Sequence, residues 1–187
     1  VYGGLTKAQY TTLSRFAPVV AQPEEHNDFG VPWQKQTEII GKALGQEAKA
    51  ASMVDGVEAD LKAAAAENPA FGRSKGVVAT PYEGTFVSGS QDPRSRVLTD
   101  LLDTDAIVWI AGDPAKDEAK LHKDALYGDL KVARQQREVY IEETSDYGKS
   151  VSFVTVLGLP YMLDRLVPQP AAAVDGDPAT KVPAPSA

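Results

Sequence analysis

The stretch from Trp33 to Asn68, WQKQTEIIGKALGQEAKAASMVDGVEADLKAAAAEN, constrains this chain more than any other, because it reads as helix almost throughout. Trp33, Thr37, Ile40 and Leu44 fall at i, i+4, i+7 and i+11 and share one face. Ala51, Val54, Val57, Leu61 and Ala65 continue an apolar face beyond them. Gly45 is suited to cap the first segment, and Asn68-Pro69 stops the second. The first segment, 33–44, would span about 18 Å at about 1.5 Å per residue. Periodicity alone leaves two readings open, an amphipathic surface helix and a stiff connector between two lobes.

Beyond Asn68 the chain becomes strand-like. Lys75–Thr80 (KGVVAT) and Ala106–Ile110 (AIVWI) are continuous apolar runs, as strands covered on both faces require. Thr85–Ser88 is a further short extended piece, and Glu138–Ile141 a last strand. Helical segments are expected at Lys7–Phe16 (buried stripe Leu5, Tyr10, Leu13, Phe16), at Arg94–Leu101, and from Pro114 to Leu121. A closing helix is expected over Thr155–Val167, where Pro160 implies a start nearby or a kink. Val19–Ala21 reads as a short buried strand and Leu126–Val132 as a linker. The alternation predicts an α/β layer with a mainly parallel sheet flanked by helices. Residues 169–187 are rich in Pro, Ala, Gly and Asp and are expected to be disordered.

Charge and composition exclude several classes. The net charge of −7 comes with no basic block, which argues against nucleic acid as a partner. The absence of cysteine removes disulfide frameworks, thiolate metal sites and cysteine nucleophiles. No run of about 18 apolar residues would span a membrane. His26 and His122 are isolated, without HxxxH or HExxH spacing, and Asp100–Asp105 lacks calcium-loop spacing. No GxSxG, Walker loop or GxGxxG after a strand occurs.

In order, VYGGLTKAQYTTLSRFAPVVA, PWQKQTEIIGKALGQEAKA, GVVATPYEGTFVSGSQDPRSRVL, DTDAIVWIAGD and SFVTVLGLPYMLDRLVP resemble the solute-binding proteins of iron–siderophore, haem and cobalamin ABC importers. The resemblance implies two α/β lobes joined by a long spine helix, with ligand in the cleft between them. Residues 1–32 would then be a remnant of a first lobe largely missing from this chain. Residues 33–68 would be the spine helix and the helix after it, and 69–168 the second lobe. No cofactor is implied. The ligand would be a ferric siderophore, with haem or cobalamin as alternatives inside the family. The partner would be an importer permease. The location would be extracytoplasmic, with membrane attachment only through a lipid anchor outside these residues.

The resemblance also directs attention to particular side chains. Tyr82, Phe86, Arg94 and Arg96 place two aromatics and two guanidiniums after a buried strand, suited to an anionic, partly aromatic chelate. Their alternative reading is core packing for the aromatics and a solvated helical turn for the arginines. Tyr147 matches the aromatic that the family often offers at the cleft, and Ser152 the serine that often opens the closing helix. Tyr2 would end a first-lobe strand, and Trp33 would sit near the hinge or anchor the helix start. Between Leu101 and Ala106 the family carries a longer stretch with a permease-docking glutamate, which no position here matches. The reading from another class is a nucleotide-dependent α/β enzyme, for which neither Gly3-Gly4 nor Gly84 supplies a phosphate loop.

Overall fold

A computed structural model of the chain describes residues 5–26, 29–81, 85–88, 104–128, 130–177 and 179–184. Helix α1 (Lys7–Leu13) begins at Thr6, which forms a capping box with Gln9. Its expected buried stripe is instead exposed at Leu5, Tyr10, Leu13 and Phe16, and Val19–Ala21 forms no strand. No described element covers that face, so its periodicity has no partner to pack on.

Helix α2 (Trp33–Ala43) and helix α3 (Glu47–Glu67) fill the long helical stretch. Between them Gly45 takes a φ of 62°, a left-handed turn that suits glycine. The chain therefore bends here, and Gly41 lies so close to Ala50 that a β-carbon at 41 would collide with it. The long straight element is α3, whose 21 residues span about 31 Å. Ala50, Val57 and Leu61 are the buried positions of α3, and Asn68 closes it by donating to the Ala64 carbonyl at 2.8 Å.

A four-stranded sheet comes next, ordered β2-β1-β3-β4. Strands β1 (Lys75–Pro81), β3 (Thr104–Ala111) and β4 (Glu138–Glu142) are parallel, and β2 (Thr85–Val87) runs antiparallel on the β1 edge. Register pairs Val78 with Val108 and Val108 with Val139, while Ala79, Trp109 and Tyr140 line up on the other face. The first face carries the core, where Val78, Val108, Ile110, Val139 and Ile141 meet Val57, Leu61, Phe71 and the C-terminal helices. Trp109 is buried on the second face, so β3 is apolar at every central position, as its sequence requires.

The β3-to-β4 crossover holds α4 (Pro114–Leu121) and two single turns, α5 (Ala125–Gly128) and α6 (Lys131–Arg134), where a linker was expected. After β4 come α7 (Asp146–Ser152), α8 (Leu159–Leu166) and α9 (Pro168–Ala173). Pro160 falls in the first turn of α8, where a missing N–H costs nothing. Contrary to the expected disorder from 169, α9 packs on the sheet, with Gln169 only 2% exposed. The Gln169 amide donates to the Pro183 carbonyl at 3.0 Å and accepts from the Tyr147 hydroxyl at 2.9 Å. One buried and one partly buried hydrogen bond thus tie the tail down despite its disorder-prone composition.

Candidate functional site

Parallel strands of an open α/β sheet present their carboxyl ends to a ligand crevice. Here that edge is formed by Thr80 and Pro81 of β1, Ala111 to Asp113 after β3, and Glu142 to Ser145 after β4. Glu143 N–H donates to the Ala111 carbonyl at 2.8 Å and closes the edge between β3 and β4. Asp113 caps α4 through Lys116 N–H, and its carboxylate pairs with the Lys116 ammonium at 2.6 Å. That hydrogen bond holds the Asp113 pKa below its ordinary value and raises that of Lys116.

Helix α7 sits directly on the end of β4. Ser145 caps it by accepting from Gly148 N–H at 2.9 Å, and Gly148 rests on the Glu142 carbonyl. Its last turn runs into Phe153, 63% exposed, and then Val154, buried. The segment Thr155–Leu157 forms one wall of an apolar groove of about 510 Å³, opposite Ile40, Leu44 and Met53 of the α2–α3 bend. Phe153 and Leu157, 77% exposed, are large apolar side chains left uncovered, Leu157 in the lining of the groove. Ser152 Oγ lies buried at the end of α7 without a hydrogen-bond partner among the described residues.

The expected site residues divide. Tyr147 is 4% exposed; it packs in the core and its hydroxyl is committed to Gln169. Burial raises its pKa well above the ordinary tyrosine value. It stands in the first turn of a helix, and the helix phase points it inward. Ser152 ends α7 and does not open the closing helix. Trp33 is 3% exposed in the same core and anchors the start of α2. Phe86 lies on β2 opposite Thr80, its side chain outside the described residues. Tyr2, Tyr82, Arg94 and Arg96 lie wholly outside them. Of these positions, Ser152 is the one that the described structure brings beside the exposed apolar segment.

Phe153 and Leu157 escaped the sequence reading. Phe153 belongs to no periodic segment, and Leu157 falls within the range expected for the closing helix. Their exposure is a tertiary property.

A second polar cluster lies on the far side of the sheet, at the amino end of β4. Glu138, its side chain 3% exposed, accepts from the hydroxyls of Tyr127 and Tyr140 (2.7 Å for Tyr140) and faces His122 Nε2 at 2.8 Å. Trp109 Nε1–H donates to the Tyr127 hydroxyl at 3.0 Å and its ring stacks on Tyr140. Burial, then the Glu138 carboxylate, pushes both tyrosine pKa values up, so the phenols stay neutral donors. This cluster fastens the crossover to the sheet. No group of three or more His, Cys, Asp or Glu able to hold a metal ion occurs among the described residues.

No known protein-family profile matches the sequence, and no curated protein does. Solved structures do. A periplasmic solute-binding protein from Mycobacterium smegmatis superposes with a TM-score of 0.79 at 23% identity, over 92% of this chain and 67% of that one. The iron uptake ABC transporter substrate-binding protein PiaA from Streptococcus pneumoniae gives 0.78 at 24% identity, over 94% and 70%. PiaA has also been solved in complex with ferrichrome. FhuD2 from Staphylococcus aureus with bound ferrioxamine B gives 0.68 at 15% identity, over 93% and 75%. A TroA-like periplasmic binding protein from Xylanimonas cellulosilytica matches at 0.55 and 15% identity, over 83% and 63%. The chain has the fold of the TroA-like periplasmic binding proteins, the spine-helix class to which its sequence pointed. These neighbours are binding proteins of transport systems and not enzymes.

Proposed function

We propose that this chain is an extracytoplasmic solute-binding protein that captures a ferric siderophore and delivers it to an ABC importer permease. The fold match to PiaA carries the reading, since that protein serves iron uptake and has been seen in complex with ferrichrome. The chain's own features agree with it. The carboxyl ends of the parallel strands are where an open α/β sheet receives ligand, and the exposed Phe153 offers an aromatic face for an apolar chelate backbone. The straight helix α3 suits a spine that limits lobe movement to small rotations. No helix among the described residues is long and apolar enough to cross a membrane. In this reading, attachment to the cell membrane is by a lipid anchor outside these residues.

Calorimetric titration with ferrichrome, ferrioxamine B, haem and cobalamin tests the proposal. Saturable one-to-one binding of a ferric siderophore is the expected result. Binding of haem or cobalamin alone would transfer the role to that ligand. Stabilisation by ATP or NAD with no response to any chelate would refute it in favour of a nucleotide-dependent protein.

A further inference from the structure

The polar cluster at the amino end of β4 gathers more donor atoms than fastening a crossover requires. His122 ends α4, Tyr127 stands on α5, and Glu138 and Tyr140 are two apart on β4, so they share one face of that strand. Their polar ends converge. The hydroxyls of Tyr127 and Tyr140 both meet Glu138 Oε1, Tyr140 at 2.7 Å, and His122 Nε2 meets Glu138 Oε2 at 2.8 Å. The Glu138 side chain is only 3% exposed, and among the described residues no lysine or arginine lies within ion-pair distance of it. The buried carboxylate therefore rests on two phenols and an imidazole. His122, its side chain 35% exposed, is the open side of the cluster and leaves a way in from solvent.

One imidazole nitrogen, one carboxylate and two phenol oxygens are a donor set for a hard, oxygen-preferring cation. Donors held at about 2.0–2.2 Å and at right angles around one ion lie about 3 Å apart. The contacts of 2.7 Å and 2.8 Å are already close to the edges of such a shell. Outer support is also in place. Trp109 Nε1–H donates to the Tyr127 hydroxyl at 3.0 Å, which favours a phenolate there, and the Trp109 ring stacks on Tyr140. Charge selects the ion. Burial and the Glu138 carboxylate keep both phenols protonated, so a divalent ion would gain little beyond the imidazole and the carboxylate. A trivalent ion is acidic enough to displace both phenol protons, and two phenolates and one carboxylate then cancel its charge in a buried place. We propose that His122, Tyr127, Glu138 and Tyr140 form a binding site for a ferric ion, on the side of the sheet away from the carboxyl edge. Binding makes Fe–O bonds to the two phenolates and Glu138 and an Fe–N bond to His122 Nε2. Both phenol protons pass to solvent, and the iron stays ferric throughout.

Titration of the protein with ferric nitrilotriacetate at neutral pH, followed by visible absorption, tests the site. The expected result is a phenolate-to-iron charge-transfer band that saturates at one ferric ion per chain, with protons released in step. The double substitution Tyr127→Phe, Tyr140→Phe should abolish the band, whereas Tyr10→Phe, which alters an exposed phenol on α1, should leave it unchanged. His122→Ala changes the exposed member of the cluster and should weaken binding about tenfold or more while the band survives at saturation. Circular dichroism establishes that each variant is folded. Absence of the band in the parent protein would overturn the site, and so would a band that survives the double substitution or an affinity untouched by His122→Ala. Competition by an equal concentration of zinc chloride would overturn the preference for a trivalent ion. Each of these failures leaves capture of a ferric chelate untouched, because that reading is tested by the chelate titrations above.

Discussion

Gly148 offers the sharpest test of how the edge is built. A β-carbon added there would overlap the Glu142 carbonyl oxygen and lie 2.8 Å and 2.9 Å from the carbonyl carbons of Glu142 and Glu143. Those atoms are main chain at the end of β4, so no side-chain rotation can relieve the overlap. The Gly148→Ala protein must instead lift α7 off the strand, drawing Tyr147 and Val151, 4% and 2% exposed, partly out of the core. Overpacking of this kind costs about 1–3 kcal/mol, and a clash with rigid backbone belongs at the upper end. At about 2–4 °C per kcal/mol for a chain of this size, the melting temperature should fall by roughly 6–12 °C. Gly56→Ala is the matched control, since nothing lies within 4 Å of its β-carbon position in the middle of α3. It should gain about 0.5–1 kcal/mol from helix propensity and raise the melting temperature by roughly 1–4 °C. Thermal melts followed by far-ultraviolet circular dichroism, with urea titrations as a check, would measure both. A Gly148→Ala protein that melts within about 2 °C of the parent would refute the close seating of α7 on β4.

The buried polar groups carry the other expected outcomes. Tyr147→Phe leaves the Gln169 carbonyl oxygen without its donor and should cost about 1–3 kcal/mol in urea titrations, with increased protease cleavage near Pro183. Glu138→Ala strands the Tyr127, Tyr140 and His122 donors. It should cost about 3 kcal/mol or more and shift the emission of Trp109, whereas Glu138→Gln, which keeps an acceptor, should cost less. Burial raises the pKa of Tyr127, Tyr140 and Tyr147 above the ordinary value near 10, so the unfolded chain loses those protons first. Their contribution is therefore fully present below about pH 10 and is lost as the pH rises above it, which a series of urea midpoints would show. Tyr147→Phe should flatten that alkaline fall, and an unchanged profile would argue against its burial.

The sheet was legible because its demands are local. GVVAT and AIVWI are apolar without interruption, and strands covered on both faces admit little else. Pro114 announced a helix start and Gly45 a helix end, each through a backbone preference that a single residue imposes. The site was less legible. The family resemblance put Tyr147 at the cleft, yet α7 turns it towards Gln169. Phe153 was passed over because it fits no periodic segment, and its exposure is decided by what packs around it. The tail from Pro168 has the composition of a disordered segment, and composition does not record that Gln169 finds both its hydrogen-bond partners.

By itself, then, the sequence determined the alternation of strands and helices and so the α/β class, since periodicity, caps and turn residues act within a few positions along the chain. The tertiary structure decided which face of each element is covered. It buried Tyr147 and Trp33, left Phe153 and the α1 stripe uncovered, bent the long helical stretch at Gly45, and gathered the carboxylates of three separate segments on one edge. Burial and net field depend on neighbours remote in sequence, and no local pattern encodes them.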